Sequence, residues 1–474
     1  MADTVTVRES VLRLFRDLGT TVIFGNPGST ELPMFRDFPD DFRYVLGLQE
    51  SVVVGMADGW AQAARRPAVV SLHSAVGVGH AMGNIFTAYR NRTPLVIIAG
   101  QQARSILLYE PFLFSQQPTE LPKPYVKWSC EPARAADVPQ AIARAWYTAI
   151  QPPAGPVLVS VPVDDWDAPA APVVPRRVST AIRPDPVALA AIGDALDAAK
   201  RPAIVIGAAV DRNGAFDLAV TLAERHQARV WGAPMSARCG FPETHPLFAG
   251  FLPAHRARIV AALAGHDLVL ALGAPVFTYH SEGFGPHVPE GAQVCQIVDD
   301  PDLAAWAPIG QAVVASLDLA IADLLARELP PARAVPPRRV AAEPAEPATP
   351  IPVDYLMQTL ARVRPPNSVI VEEAPSSRAS MQANLPISRA NGFYTCASGG
   401  LGHALPAAVG VALARPGEHV IALVGDGSAM YSIQALWSAA QLRLPLTVIV
   451  VDNGSYAALD EFARLFQMGK PVGT

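Results

Sequence analysis

The chain has 474 residues, half of them hydrophobic, and a formal net charge of −5. That length buries several cores, about three domains of ordinary size, and no run of lysines or arginines forms the basic patch that a phosphate backbone requires, so no nucleic-acid partner is expected. The opening MADTVTVRESVLRLF is charged and amphipathic, unlike a secretory signal, and no apolar run approaches the roughly 18 residues of a membrane span, so the expectation is a cytoplasmic protein with no membrane partner.

Short β-branched runs alternate with longer stretches of helical period, the signature of α/β domains built on parallel sheets. In such sheets ligands bind beyond the carboxyl ends of the strands, so the residues following each run are the informative ones. The run TVIF leads into Gly-Asn-Pro-Gly-Ser, ending at Ser29, and the run from Tyr44 to Leu48 leads to Gln49 and Glu50 at the head of an amphipathic helix. PAVVSL leads directly to His73, and PLVIIAG follows. A proline-rich stretch from about Asp164 to Pro186 reads as a linker. Next come AIVIGAAV and DLVLALG; Leu268 to Leu272 is followed by GAPVFTYH, ending at His280. A second linker, Pro330 to Pro352, has little to bury and is expected to be extended and semi-rigid. Finally HVIALVG leads into GDGS at 425–428 and LTVIVV into DNGS at 452–455. Three segments result, 1–175, 183–329 and 351–474. Cys130, Cys239, Cys295 and Cys396 are scattered and read as buried free thiols.

GDGS followed by DNGS points to a metal-bound diphosphate. Mg²⁺ takes hard oxygens in octahedral geometry and keeps phosphate oxygens in its shell; Asp426, Asn453 and the carbonyl of Ser455 supply a carboxylate, an amide oxygen and a backbone oxygen. The glycines admit backbone N–H groups to the diphosphate, and a helix expected to start near Ser428 presents its positive end. Gly-Asp-Gly alone is ordinary turn chemistry; the pair at this spacing is the specific signal. It resembles the thiamine-diphosphate motif, in which a pair of asparagines follows GDG. Asp452 stands at the first of these positions, while Asn453 keeps the metal-ligating second one.

With FGNPGSTELP at 24–33, DFRYVLGLQE at 41–50, GPVLVSVPVDDWD at 155–167, GAPVFTYH at 273–280, GGLGHALPAAVG at 399–410 and VGDGSAMYSIQALW at 424–437, the chain resembles the thiamine-diphosphate-dependent decarboxylase family, and within it the benzoylformate decarboxylases, over nearly its whole length. The resemblance implies three doubly wound parallel-sheet α/β domains: a pyrimidine-binding domain (1–175), a central Rossmann-like domain without catalytic cofactor (183–329) and a diphosphate-binding domain (351–474). It implies thiamine diphosphate and Mg²⁺ as cofactors, a small-molecule 2-keto acid as substrate, and a homo-oligomer, dimeric at least and usually a tetramer built as a dimer of dimers.

Carried over by motif, Glu50 hydrogen-bonds N1′ of the aminopyrimidine so that the cofactor can lose its C2 proton, Ser29 contacts the substrate carboxylate or carbonyl, and His73 and His280 donate and accept protons. Leu401 wedges the cofactor into a bent conformation, and Ser376, Gly399, Gly425, Gly427, Ser428 and Tyr456 complete its binding site. Phe112, Leu113, Ala458, Leu459 and Phe462 match segments that line an aromatic pocket, whereas Thr395 and Pro375 depart from the family's residues near the site.

Each of these residues also has an ordinary reading: a helix-start glutamate complements the dipole, Ser29 could cap a helix, and a strand-end histidine is often a loop residue. Their coincidence inside matching segments favours the catalytic reading. The alternative enzyme class is a carboligase or acetolactate-synthase-like transferase. A paralogue without activity is disfavoured by the intact site, and a dinucleotide-dependent oxidoreductase by the lack of Gly-x-Gly-x-x-Gly after a central strand. The third segment ends soon after its metal motif and is expected to be incomplete at its C-terminus.

Overall fold

The computed structural model describes residues 4–469. Helix α1 (Val7–Asp17) starts at a reciprocal cap, in which Thr6 accepts from the Glu9 N–H while the Glu9 carboxylate accepts from the Thr6 N–H. Its apolar stripe, including Val7, Val11 and Phe15, packs with Ile23, Val69 and Val96 of the first sheet.

That sheet comprises β1 (Val22–Gly25), β2 (Arg43–Leu46), β3 (Ala68–Leu72), β4 (Leu95–Gln101), β5 (Ser129–Cys130) and β6 (Val157–Pro162). The order is β2-β1-β3-β4-β6-β5, with every pair parallel. Strands β3, β4 and β6 are buried throughout, as strands covered on both faces must be. Helix α2 (Glu50–Ala64) follows β2 and helix α3 (Ser74–Asn91) follows β3, so the first residues of both helices lie at the sheet's carboxyl edge.

The linker expected from Asp164 begins later than its composition suggests. Asp165 and Trp166 are buried, Asp165 pairing with Arg104 at 2.7 Å, and irregular chain runs only from Ala171 to Asp185. Asp185 then caps α4 (Pro186–Ala198) by accepting from the N–H groups of Val187 and Ala188.

The central sheet comprises β7 (Pro202–Ile206), β8 (Arg229–Gly232), β9 (Phe248–Phe251), β10 (Leu268–Leu272), β11 (Gln293–Val298) and β12 (Gln311–Val314). Its order, β9-β8-β7-β10-β11-β12 and wholly parallel, is the doubly wound one, reversing between β7 and β10. The run AIVIGAAV does not stay a strand: β7 stops at Ile206 and a short helix begins at Ala208. The second linker is extended but docked. Arg333 donates to the carbonyls of Leu196, Asp197 and Ala199, satisfying acceptors that the end of α4 leaves open.

In the last segment β13 (Val369–Glu373), α5 (Ala404–Ala414), β14 (Val420–Gly425), α6 (Asp426–Met430), β15 (Leu446–Val451) and α7 (Ala457–Leu465) follow in turn. Strands β14 and β15 are parallel neighbours, in register from Val420 opposite Leu446 to Gly425 opposite Val451. The helix after Gly425 starts at Asp426 itself, two residues ahead of the expected start near Ser428.

The chain divides into two compact units: Met1–Thr180 with Val371–Glu373 and Cys396–Thr474, and Ala181–Ile370 with Ala374–Thr395. Among the described residues no helix is long and apolar enough to cross a membrane, and the four cysteines are free, Cys130 half-buried and the others buried.

Candidate active site

In the first unit Ser29, Glu50 and His73 follow three adjacent strands, β1, β2 and β3, and so share one edge of the sheet. His73 is the N-cap of α3 without capping it by its side chain. Instead its Nδ1 lies 3.0 Å from Glu31 Oε2 and 3.0 Å from Thr30 Oγ1, and the Glu31 carboxylate, 2 % exposed, also accepts from the Gly28 N–H at 2.8 Å. Gly28 is required here, because a Cβ would fall 2.2 Å from His73 Nδ1. A carboxylate behind an imidazole fixes the ring's orientation and leaves Nε2 as the atom for proton transfer. Ser29 is exposed, and the 3-10 turn Leu32–Phe35 is entered from Glu31, so Ser29 is not its cap.

Glu50 begins α2, whose N-cap Gln49 accepts from the Val52 N–H. Its carboxylate is nearly buried, with Oε2 at 3.1 Å from His80 Nδ1 on α3.

The loop 396–403 precedes α5 and carries Gly399 and Leu401. Gly399 is exposed with φ +75°, and Leu401 is half-buried. Two sets of side chains clamp this loop. From α3, Asn84 donates to the Gly402 carbonyl at 3.3 Å, Thr87 meets Ser398 at 2.8 Å and Asn91 accepts from the Ala397 N–H at 2.8 Å. From β13, the Glu373 carboxylate accepts from the N–H groups of Gly402, His403 and Ala404 at 2.6, 2.8 and 2.7 Å. Burial pushes the Glu373 carboxyl above its ordinary value, while those three donors favour its charged form. Behind the loop His403 Nε2 forms a short contact with Asp58 Oδ2, both side chains fully enclosed. Burial alone would raise the Asp58 carboxyl, but attraction to His403 and hydrogen bonds from His403 and Asn91 hold it below its usual value.

Asp426 and Asn453 leave the ends of the paired strands β14 and β15, a carboxylate beside an amide. Asn453 Oδ1 accepts from the Ser455 N–H at 3.0 Å, Asp452 Oδ1 from the Gly454 N–H at 3.0 Å, and a Cβ on Gly427 or Gly454 would meet nothing within 4 Å. Hard oxygens from two strand ends beside open glycine backbone fit a divalent ion holding a diphosphate. Among the described residues no group of three or more His, Cys, Asp or Glu side chains forms a metal cluster, so such an ion would depend on Asp426 together with amide, carbonyl and phosphate oxygens. Ser428 is buried within α6, and Tyr456 is exposed beyond β15.

His280 and Ser376 belong to the second unit, where His280 is exposed with its backbone N–H donating to the Ala254 carbonyl, and Ser376 is exposed in the 3-10 turn Pro375–Ser377. Phe112 is 87 % exposed, and Leu113, half-buried with φ +63°, accepts from Ser74 through its carbonyl. Ala458 and Phe462 are half-buried and Leu459 exposed on α7. A cavity of about 160 Å³ lies in the second unit, walled by Phe241, Phe248, Phe251 and Met381. Sequence reasoning missed Glu31, Glu373, His80 and the α3 stripe. Only the stripe had a visible signal, Asn84, Thr87 and Asn91 spaced i, i+3, i+7 on one helix.

Models of the thiamine pyrophosphate enzyme domains match the chain in order: the N-terminal TPP binding domain at residues 5–118, the central domain at 189–324 and the C-terminal TPP binding domain at 376–474. A benzoylformate decarboxylase of Pseudomonas aeruginosa is 45 % identical, covering 99 % of this chain and 90 % of that protein. The solved structure of a thiamine diphosphate-dependent 4-hydroxybenzoylformate decarboxylase from Rhodococcus jostii RHA1 is 42 % identical with TM-score 0.96, covering 99 % of this chain and 90 % of that one. A benzoylformate decarboxylase from Polynucleobacter necessarius is 40 % identical with TM-score 0.95, covering the same shares.

Proposed function

Because the chain belongs to the thiamine pyrophosphate enzyme family, we propose that it converts an aryl 2-keto acid of the benzoylformate type into an aldehyde and CO₂, using thiamine diphosphate and Mg²⁺. The observation that carries this reading is the arrangement at the strand ends: a Glu31-held His73 and Glu50 on one sheet, and Asp426 and Asn453 at paired strand ends of another. Thiamine diphosphate, when bound, supplies a carbon nucleophile and an electron sink for the departing CO₂.

The chain's own residues bind, orient and move protons. Asp426, Asn453 and the Ser455 carbonyl hold the metal; Gly425, Gly427, Ser428, Tyr456 and Ser376 border the diphosphate; Leu401, on its doubly clamped loop, shapes the cofactor. Glu50 exchanges a proton with N1′ of the aminopyrimidine. Ser29 orients the keto acid, His73 works through Nε2 because Nδ1 is committed to Glu31, and His280 serves a later proton transfer. Phe112, Leu113, Ala458, Leu459 and Phe462 would enclose the aryl group. The chain's own packing leaves Tyr431, Ile433, Leu436 and Trp437 exposed, and such a patch supports association with further copies, a dimer or a tetramer. The segments 1–175, 183–329 and 351–474 serve as pyrimidine-binding, central and diphosphate-binding domains, and the working compartment is the cytoplasm.

Product analysis with benzoylformate tests the reading. Benzaldehyde and CO₂ in equal amounts, dependent on thiamine diphosphate and abolished by a chelator, are expected. A hydroxyketone as the main product would favour the carboligase class instead.

A further inference from the structure

Helix α3 sets two residues of one face against Glu50. A Cβ on Gly77 would lie 3.4 Å from Glu50 Cγ and 3.5 Å from Oε1, so the missing side chain lets the carboxyl lie flat on the helix. His80, three residues on and therefore on the same face, brings Nδ1 to 3.1 Å from Oε2. The two carboxylate oxygens thus differ: Oε2 is committed to the imidazole, and Oε1 makes no hydrogen bond among the described residues. The two side chains also differ in access, Glu50 being 11 % exposed and His80 57 %. A carboxyl that must gain and lose protons, yet is nearly cut off from water, needs a carrier, and imidazole is the side chain suited to that near neutral pH.

We propose that His80 relays protons between water and Glu50, so that Oε1 serves the cofactor while Oε2 is recharged through the ring. This rests on the reading of Glu50 given above. When Glu50 gives its proton to N1′ of the aminopyrimidine, His80 Nδ1–H delivers a proton to Oε2 and Nε2 takes one from water; return of the proton runs the same bonds in reverse. No other group is consumed. His80 acts through Glu50 and is a positioning and relay residue, distinct from those that touch the cofactor.

The test uses the full protein loaded with thiamine diphosphate and Mg²⁺, and reads exchange of the bound cofactor's C2 proton for deuterium by rapid acid quench, with cofactor affinity measured separately. His80→Ala is expected to slow exchange by about 10-fold or more, within the range of a lost acid–base group, with affinity changed less than about 2-fold and exchange restored by added imidazole. His80→Gln, which can still donate to Oε2 but cannot carry a proton through its ring, should stay slow. Parental exchange in His80→Ala, or full recovery in His80→Gln, overturns the relay. Glu50→Gln is run in parallel: slow exchange there with parental exchange in His80→Ala sinks the relay alone, and parental exchange in Glu50→Gln sinks both readings.

Discussion

Two carboxylate–histidine pairs in the same compact unit are built from the same chemistry and are placed for different work. Asp58 and His403 are enclosed on all sides, with 0 % and 1 % of their side chains exposed, whereas in Glu50 and His80 the exposed fraction rises to 11 % and 57 %. A sealed pair has no route for a proton or a ligand; it holds α2 against the start of α5 and is costly to break because removing the imidazole would leave a buried carboxylate without its main partner. An open pair contributes little to stability, since solvent screens it, and is free to exchange protons. The pair Glu31–His73, 2 % and 16 % exposed, lies between, its carboxylate buried and its ring reaching the sheet edge. In Glu31–His73 the carboxylate is buried while the imidazole keeps some access, whereas in Asp58–His403 both are enclosed.

Mutations sharpen that contrast, from large effects to small. Glu50→Gln should leave the fold intact and slow C2–H exchange of bound thiamine diphosphate by about 10²–10⁴-fold; parental exchange with an unchanged melting temperature would move Glu50 into the structural class. Asp58→Asn should do the reverse, costing about 3–5 kcal/mol of stability, read as a large drop in melting temperature. Because the Asp58 carboxyl lies below its ordinary value in the folded chain, its contribution is complete above the ordinary carboxylate range and is lost as pH falls through the lowered folded value. A parental melting curve for Asp58→Asn would break the comparison.

Smaller, about 10²-fold in turnover, are the losses expected from His73→Ala and His280→Ala, the first in addition to the keto acid and the second in the proton transfer before aldehyde release. Rapid-quench analysis of cofactor-bound species should find them accumulating different species. Indistinguishable quench profiles would show that the two rings do not divide the work.

The smallest effect is in the second unit. Burial, reinforced by Arg333, pushes His226 down to about 4, and burial pushes Glu243 up to about 8. For His226 the unfolded chain binds the proton more tightly, so stability falls as pH drops from 6.5 towards 4; for Glu243 the folded chain does, so stability falls as pH rises from 4.5 towards 8. Glu243→Gln should therefore gain a few degrees of melting temperature over the parent, with the gain larger at pH 8 than at pH 5. A gain independent of pH would mean that the carboxyl titrates normally.

The α/β class, the parallel strands and the placing of polar residues at their ends were legible in the sequence because they rest on local patterns: a β-branched run of four to seven residues, the polar residue that ends it, and glycine-rich turns such as GDGS and DNGS. Where local pattern misled, tertiary packing had overruled it. The proline-rich stretch from about Asp164 reads as linker, yet Arg104 pairs with the buried Asp165 and Trp166 beside it is buried. Glu31 and Glu373 carried no signal, since a single acid is recognised as a clamp only when the backbone N–H groups or the imidazole it serves are brought to it from elsewhere in the fold. The same holds for the division of histidines. In sequence His73, His80 and His403 are three imidazoles near apolar runs; one ring held by Glu31, one open partner of Glu50 and one sealed clasp emerge only when α2, α3 and the loop before α5 come together, because burial and the identity of the facing carboxylate decide what an imidazole can do.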